Sequence, residues 1–196
     1  LRRLWGPNEE RGLYKTTDGG KSWSNINGDY PETEISRVIR ADPTCPGLLF
    51  VGSETGIFVS LNDGENWQRL QGNLPVVPVY DLKIKNGDLV AGTHGRAFWI
   101  LDDLTPLQTA QDFEADATHL VPPRHAYRLA GGGFGGSASN VGRNPPNGAV
   151  LNFHLAEEPA EGDTVAIEIP STAGDLIRTF STHPDDELSP RAEPLS

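Results

Sequence analysis

The sequence is poor in sulfur and in positive charge. It has no methionine and one cysteine, Cys45, among 196 residues. A single cysteine excludes a disulfide within the chain, so cysteine usage does not indicate a compartment. Lysine and arginine number 16 against 27 aspartate and glutamate residues, and the formal net charge is −11. This acidic balance argues against nucleic acid and anionic membrane surfaces as partners.

Long hydrophobic runs are also missing. No apolar stretch approaches the roughly 18 residues needed to cross a bilayer, so we expect no membrane insertion. The chain opens on Leu1-Arg2-Arg3-Leu4-Trp5, and less than one complete repeat precedes the first motif described below. We therefore expect the sequence to begin inside a longer protein.

Glycine and proline are abundant, at 22 and 16 residues, while apolar residues make up 36%. This balance is typical of many short strands joined by turns rather than of long helices. Apolar segments and alternation predict strands at 12–15, 23–26, 35–39, 48–52, 57–60, 67–70, 79–84, 89–92 and 97–101. Asn86-Gly87 is a strong hairpin signal between two of them. The predicted fold class is all-β.

One short motif occurs twice at a fixed spacing. Residues 16–23 read Thr-Thr-Asp-Gly-Gly-Lys-Ser-Trp, and residues 60–67 read Ser-Leu-Asn-Asp-Gly-Glu-Asn-Trp. The offset is 44 residues, and it also aligns Gly12-Leu13-Tyr14 with Gly56-Ile57-Phe58. A period of this length indicates a repeat architecture.

The residue types of the motif suit a tight turn between two strands. A carboxylate at Asp18 can accept hydrogen bonds from backbone N–H groups inside the turn, and Gly20 permits positive φ. Trp23 then leads the next strand with a side chain large enough to fill the gap against a neighbouring sheet. In the second copy Asn62 replaces the aspartate, and an amide oxygen accepts the same bonds. We assign structural roles to Thr16, Asp18, Gly20, Ser22, Trp23, Ser60, Asn62, Gly64 and Trp67.

The pattern Ser/Thr-x-Asp-x-Gly-x-Ser/Thr-Trp resembles the Asp box of BNR-repeat β-propellers, which include sialidases, xyloglucanase-type glycoside hydrolases and the sortilin propeller. Residues 93–103, Thr-His-Gly-Arg-Ala-Phe-Trp-Ile-Leu-Asp-Asp, are similar to the closing blade of bacterial and archaeal BNR proteins grouped with sortilin. The resemblance implies that residues 1–107 are the C-terminal blades of an Asp-box β-propeller, with the rest of the propeller upstream. It also implies an extracellular or periplasmic protein.

The character of the sequence changes after Pro106. Residues 108–147 form a Gly/Pro-rich linker in this interpretation. The glycine run at 131–136 matches the sequence pattern of the dinucleotide-binding fingerprint. We do not interpret it as a dinucleotide site, because no helix is predicted after it and proline clusters flank it. Alternation resumes at 149–155, 164–169 and 176–180. These strands resemble the start of the Ig-like, flagellar hook-capping-type β-sandwich that follows many such propellers, so we place a partial sandwich at 148–182 and an acidic tail at 183–196.

The resemblance also indicates a candidate ligand face. Loops between the second and third strands share one face of a propeller, and here they include Glu54, His94 and Arg96. A histidine and an arginine on a tight glycine loop can donate hydrogen bonds to a sugar hydroxyl or a carboxylate. In the alternative interpretation, Arg96 pairs with Glu54 or Asp81 to fasten adjacent blades, and His94 caps the loop.

Two functions fit these observations. The first is a secreted module that binds a glycan or a polypeptide, since residues 12–107 offer no identifiable catalytic residue. The second is a glycoside hydrolase whose paired carboxylates lie in blades outside this sequence. Asp102-Asp103 replaces a third Asp box, on the face opposite the ligand loops, which argues against a catalytic pair there. The five histidines show no metal-ligand spacing, so we expect neither a metal nor a cofactor.

Overall fold

Strands in small antiparallel sheets make up nearly all the regular structure of this protein. A computed structural model describes residues 12–32, 34–113, 116–126 and 148–182. Within these ranges the helices are a single turn, α1 (Thr105–Gln108), and a 3-10 helix (Ala110–Asp112). The predicted all-β fold class is confirmed. Our expectations for the N-terminus, for the glycine run at 131–136 and for the acidic tail lie outside the described residues.

The strands of the described residues fall into five sheets. They are β1 (Tyr14–Lys15), β2 (Ser24–Asn25), β3 (Ser36–Ala41), β4 (Leu49–Ser53), β5 (Ile57–Ser60), β6 (Gln68–Arg69), β7 (Val79–Lys85), β8 (Asp88–Thr93), β9 (Phe98–Leu101), β10 (His119–Leu120), β11 (Phe153–His154), β12 (Ala166–Pro170) and β13 (Leu176–Ser181). Sheet 1 is β1-β2, sheet 2 is β3-β4-β5-β6 and sheet 3 is β7-β8-β9, while β10 pairs with β11 and β12 with β13. The chain forms two compact units, Leu1–His154 and Leu155–Ser196.

The β7-β8 hairpin follows directly from its two turn residues. Asn86 and Gly87 both adopt positive φ, at 55° and 78°. Lys85 and Asp88 on either side of them are paired. Two consecutive residues with positive φ match the right-handed twist of the flanking strands. The hairpin predicted from the Asn-Gly signal is therefore present, with a two-residue loop.

Sheet 2 is apolar on both faces, and each face packs against a neighbouring sheet. We call the face of sheet 2 that packs against sheet 1 its leading face. Its buried side chains are Leu49, Val51, Phe58 and Trp67. They pack with Leu13, Ile26 and Tyr30 in and around sheet 1. We call the opposite face, which packs against sheet 3, the trailing face. Its buried side chains are Leu48, Phe50, Ile57 and Val59. They pack with sheet 3 residues such as Val79 and Leu82. Alternation along β4 and β5 thus fills two cores at once.

Sheet 3 has three strands in the described part of the chain, one fewer than sheet 2. After β9 the Asp103 N–H donates to the Asp88 carboxylate at 2.9 Å, and the Leu104 N–H donates to the Gly87 carbonyl at 2.8 Å. Asp103 has positive φ, at 64°, and Leu104 is buried. The chain therefore folds back onto the β7-β8 turn and enters α1 instead of forming a fourth strand.

Asp42 organises the turn between β3 and β4. Its carboxylate accepts hydrogen bonds from the Thr44 hydroxyl at 2.7 Å, from the Thr44 and Cys45 N–H groups at 2.8 Å and from Gln108 Nε2 at 2.9 Å. Gln108 belongs to α1, so this buried carboxylate joins sheet 2 to the helix that follows sheet 3. Burial alone would raise the pKa of Asp42, but the bonds from Gln108, Thr44 and Cys45 outweigh it and lower the pKa.

Replacing Asp42 with alanine is expected to lower the free energy of unfolding by about 1–2 kcal/mol, because it leaves several donors without an acceptor. The folded-state pKa of Asp42 is lower than the value of about 3.9 expected in the unfolded chain. Its stabilisation is therefore present above about pH 4 and is lost as pH falls through the folded-state pKa. Urea unfolding at several pH values checks this, with Asp42→Asn as the control that removes the titration. Equal acid sensitivity in the wild type and in Asp42→Asn would contradict it.

The strand predicted at 149–155 is short, and its partner lies far away in sequence. Only Phe153 and His154 form β11, which pairs with β10 at His119–Leu120. The His119 ring stacks between Phe113, at 3.8 Å between ring centroids, and His154, at 5.1 Å. The sequence shows no alternation of apolar and polar residues at β10, because two paired residues are too few to create a period.

The second unit contains a regular hairpin. β12 and β13 pair from Ala166↔Ser181 to Pro170↔Leu176, with a register shift between Ile169 and Pro170. The Ser171 hydroxyl oxygen accepts the N–H groups of Ala173 and Asp175 in the connecting turn. These two strands lie where the alternation at 164–169 and 176–180 predicted them.

Candidate functional site

The first motif forms a self-contained turn between β1 and β2. The Asp18 carboxylate accepts hydrogen bonds from the Lys21 and Ser22 N–H groups, both at 2.9 Å, and from the Ser22 hydroxyl at 2.6 Å. The Thr16 hydroxyl donates to Asp18 at 2.9 Å, and its oxygen accepts the Gly20 N–H at 2.8 Å. The Ser22 hydroxyl, the Ser22 N–H and the Thr16 hydroxyl hold the pKa of Asp18 well below its usual range. The carboxylate is thus engaged inside the turn.

The second motif keeps this geometry with an amide in place of the carboxylate. Asn62 Oδ1 accepts the Asn66 N–H at 2.9 Å and the Ser60 hydroxyl at 3.1 Å. The Ser60 oxygen accepts the Gly64 N–H at 2.9 Å. Asn62 Nδ2 also donates to the Asn66 side chain at 2.9 Å. The substitution of Asn for Asp therefore retains the acceptor that the turn requires.

The two motif tryptophans occupy different environments. Trp67 is 6% exposed, its indole N–H donates to the Ile26 carbonyl at 3.1 Å, and its ring packs edge-on against Tyr30 at 5.8 Å. Trp23 is 59% exposed, and its indole N–H donates to the Gly20 carbonyl of its own turn. Trp67 thus locks sheet 2 onto the preceding repeat, which is the packing role expected of this position.

Two of the predicted ligand residues are joined by two residues that the sequence did not single out. Glu54 forms an ion pair with Arg37 of β3. The Arg37 guanidinium carbon lies 4.3 Å from the centroid of the Tyr80 ring. The Tyr80 ring stacks on His94, with centroids 5.1 Å apart and planes 29° apart. We call Glu54, Arg37, Tyr80 and His94 the Arg37 platform.

Arg96 lies beside the platform on the same loop as His94. Its backbone carbonyl accepts the indole N–H of Trp99 at 2.9 Å, and its side chain is exposed. Neither carboxylate proposed as its partner binds it, because Glu54 pairs with Arg37 and Asp81 pairs with Arg40 at 2.6 Å. The fastening role that the alternative interpretation gave to Arg96 therefore falls to Arg40, which links β3 of sheet 2 to β7 of sheet 3.

The sequence contains one indication of Arg37 and Tyr80, but it lies in strands, whereas the candidate residues were predicted on loops. Both lie on first strands of consecutive sheets, at positions whose side chains are exposed while Val79 next to Tyr80 is buried. Alternation along β3 and β7 marks them as outward-facing. Their proximity could not be predicted without knowing that β3 and β7 are neighbours, since the two residues are 43 positions apart.

A third set of charges surrounds Asp103. Arg124 donates to the Asp88 carboxylate at 2.6 Å and to the Asn86 carbonyl at 2.6 Å, and its Nε lies 3.9 Å from Asp103. The hydrogen bond with Asp88 raises the pKa of Arg124. Asp88 and Asp103 thus hold residue 124 against the β7-β8 turn. These contacts give Asp103 a structural role beside the β7-β8 turn.

Metal and membrane sites receive no support from the described ranges. There, no three histidine, cysteine, aspartate or glutamate side chains are grouped so as to hold a metal ion. None of the helices described is long and apolar enough to span a membrane.

Comparison with known proteins gives no relative: no family model matches the sequence, and neither a curated protein nor a solved structure resembles it significantly. A functional proposal therefore depends on the motifs and on the geometry of the Arg37 platform.

Proposed function

We propose that this chain is part of an Asp-box repeat β-propeller and that it binds a glycan bearing a carboxylate group through the Arg37 platform. The repeat motif supports the propeller, because both copies form the same hydrogen-bonded turn and sheets 1 to 3 stack face to face. The observation that carries the binding proposal is the stack of Arg37, Tyr80 and His94 at an exposed surface.

The platform holds its donors in place before a ligand arrives. Glu54 fixes Arg37 from one side, and the Tyr80 ring fixes it by a cation–π contact. A guanidinium held in a defined orientation loses little freedom on binding, and its planar set of donors matches a carboxylate. His94 and the Tyr80 hydroxyl add polar groups that suit sugar hydroxyls.

The local charge also favours an anionic ligand. The protein as a whole has a net charge of −11. At the platform and the residues beside it on the same strands and loop, however, three arginines stand against two carboxylates: Arg37, Arg40, Arg96, Glu54 and Asp81. A basic surface on an acidic protein attracts anions selectively to that place.

Hydrolysis of a glycan has less support than binding. A glycoside hydrolase places two carboxyl groups about 5–10 Å apart, one to donate a proton and one to act as base or nucleophile. Glu54 of the platform and Asp81, next to Tyr80 in sequence, are each held in an ion pair with an arginine. These ion pairs favour a role for the two carboxylates in orienting Arg37 and Arg40 over a role in a reaction at a sugar.

Titration calorimetry with matched ligands tests the proposal. Sialyllactose and an oligogalacturonide supply the carboxylate, while lactose and the methyl-esterified oligogalacturonide lack its charge. We expect binding of at least one acidic ligand, no binding of its neutral counterpart and an affinity loss of at least about tenfold in Arg37→Ala. Arg178→Ala is the control, because it removes an arginine stacked on Phe180 in the other unit.

Three results would contradict the proposal that the Arg37 platform binds an acidic glycan. Equal affinity for acidic and neutral ligands, or equal affinity in the wild type and in Arg37→Ala, would remove the platform from the binding site. Affinity for acidic peptides without affinity for any acidic glycan would replace the glycan with a polypeptide ligand.

A further inference from the structure

Glu34, two residues before β3, carries a largely buried carboxylate. Its side chain is 11% exposed. The Oε1 atom accepts the Thr55 hydroxyl at 2.7 Å and Nη2 of Arg69 at 3.4 Å. Among the described residues, the buried Oε2 atom has no hydrogen-bond partner, and neither has the buried Tyr30 hydroxyl. Burying a carboxylate whose hydrogen bonds are incomplete costs stability, so packing alone does not explain Glu34 at this position.

The partners of Glu34 hold the loop between β4 and β5, which carries Glu54 of the Arg37 platform. Thr55 follows Glu54 directly, and its hydroxyl donates to Glu34 while its hydroxyl oxygen accepts Nη2 of Arg69 at 2.9 Å. The Thr55 carbonyl accepts Nη1 of Arg69 at 3.3 Å. The Arg69 guanidinium is itself placed over the Phe58 ring, 4.9 Å from its centroid. The residue next to Glu54 is thus fixed through both its side chain and its backbone.

Glu54 in turn orients Arg37, with which it forms an ion pair. A carboxylate and a guanidinium form their strongest hydrogen bonds in a defined geometry. The orientation of Arg37 over the Tyr80 ring therefore depends on how firmly the loop holds Glu54.

The corresponding loop of sheet 3 closes in the same way. Two backbone hydrogen bonds of 2.8 to 3.2 Å close each loop, from Ser53 to Gly56 and from Glu54 to Ile35 in sheet 2, and from Thr93 to Ala97 and from His94 to Pro78 in sheet 3. These bonds form in both sheets, so they do not depend on what is particular to sheet 2.

Val77 holds the position in sheet 3 that Glu34 holds in sheet 2. Strand pairing aligns Ser36 of β3 with Val79 of β7, and Glu34 and Val77 each lie two residues earlier. Val77 is buried in the core between sheets 2 and 3. An apolar residue at this position is therefore sufficient for the loop to close, and the carboxylate of Glu34 has a role that sheet 3 does not need.

We propose that Glu34 is a positioning residue of the Arg37 platform: it fixes Thr55 and with it Glu54, and so holds the Arg37 guanidinium in the orientation that receives the carboxylate of a ligand. This inference rests on the proposed function, since it assigns to Glu34 a part in the affinity for an acidic glycan.

Titration calorimetry with sialyllactose and an oligogalacturonide tests the role of Glu34 in binding. Glu34→Val introduces the residue that sheet 3 has at this position, so the fold should be retained as judged by circular dichroism, and we expect the affinity to fall about fivefold. Glu34→Gln keeps an oxygen that accepts the Thr55 hydroxyl, so its affinity should stay within about twofold of the wild type. Glu32→Ala is the control, because it removes the same charge at an exposed position two residues away, and it should leave the affinity unchanged.

A double-mutant cycle with Glu54→Ala tests the route by which Glu34 acts. Because Glu34 is proposed to act through Glu54, Glu34→Val should cause no further loss of affinity once Glu54 is alanine. The same loss in both backgrounds would overturn the proposal, and so would a loss in Glu34→Gln or in Glu32→Ala as large as that in Glu34→Val.

Nitrogen-15 NMR of the Arg37 Nε group, recorded without ligand, separates this inference from the proposed function. We expect its resonance to shift in Glu34→Val and to stay in place in Glu32→Ala. A shifted resonance in a protein that binds no acidic glycan would retain the positioning of Arg37 by Glu34 and overturn the proposed function. An unshifted resonance, or acidic-glycan binding that depends on Arg37 but is equal in the wild type and in Glu34→Val, would overturn the inference and leave the proposed function standing.

Discussion

Replacing Trp67 with alanine is expected to lower the free energy of unfolding by about 3–5 kcal/mol, as for other large aromatic side chains removed from a core. The indole fills the space between sheets 1 and 2, packs edge-on against Tyr30 and donates a hydrogen bond to the Ile26 carbonyl. The truncation leaves a cavity and an acceptor without its donor. Urea unfolding followed by circular dichroism, at low protein concentration, measures the loss.

Trp23→Ala is the matched control, because it makes the same change at the equivalent position of the first motif. Trp23 is largely exposed, and its indole bonds only within its own turn. We expect a loss within about 0.5–1 kcal/mol, as for most surface substitutions. Similar losses for the two variants would contradict the assignment of Trp67 to the contact between repeats.

Gly52→Ala is expected to cost about 3 kcal/mol, at the upper end of the range for overpacked cores. The added Cβ would lie 2.7 Å from a methyl carbon of Val38 and 2.8 Å from one of Val79. It would also lie 3.0 Å from the Val79 carbonyl, and a backbone atom cannot move aside as a side chain can. The substitution therefore forces sheets 2 and 3 apart, and a fall in the midpoint of urea unfolding reports it.

Gly92→Ala makes the same change where the pairing register places the equivalent glycine of sheet 3. Its new Cβ would find only ordinary contacts, the nearest at 3.6 Å. Because alanine also restricts the unfolded chain, the stability should be unchanged or higher by up to about 1 kcal/mol. A loss in Gly92→Ala as large as that in Gly52→Ala would show that the close approach of β7 is not what makes residue 52 a glycine.

Short-range features of the fold were predictable from the sequence because local chemistry determines them. Positive φ at Asn86-Gly87 follows from the residues themselves, and so do the acceptors that Asp18 and Asn62 present to their turns. The 44-residue offset aligned Trp67 with Trp23, for which the sequence predicted packing against a neighbouring sheet. The structure shows that packing at Trp67, whereas the Trp23 ring is exposed and bonds within its own turn. Each of these predictions needed only the immediate neighbours of the residue and the repeat period.

Features that depend on which elements become neighbours in the fold could not be predicted from the sequence in the same way. β10 and β11 are two residues each, and they are brought together across a segment without periodic pattern. The role of Asp42 depends on Gln108, 66 positions away, which no motif connects to it. The sequence also placed the candidate site on loops, whereas the structure adds Arg37 and Tyr80 from β3 and β7.

The close contact between sheets 2 and 3 also bears on the candidate site. Arg37 comes from sheet 2 and Tyr80 from sheet 3, so their stacking requires the two sheets to stay in register. Arg40 and Asp81 join the same two strands by an ion pair at 2.6 Å. We therefore expect Gly52→Ala to weaken ligand binding as well as folding, whereas Gly92→Ala leaves binding intact.

A glycan array probed with the wild-type chain and with Arg37→Ala, combined with an assay for released sugar on every glycan bound, tests the central claim most directly. The proposed function predicts that the wild type binds carboxylate-bearing glycans, that Arg37→Ala loses this binding and that no glycan is cleaved. Cleavage of a bound glycan would replace the binding module with a glycoside hydrolase. Binding that is indifferent to the carboxylate or to Arg37 would contradict the account of the site.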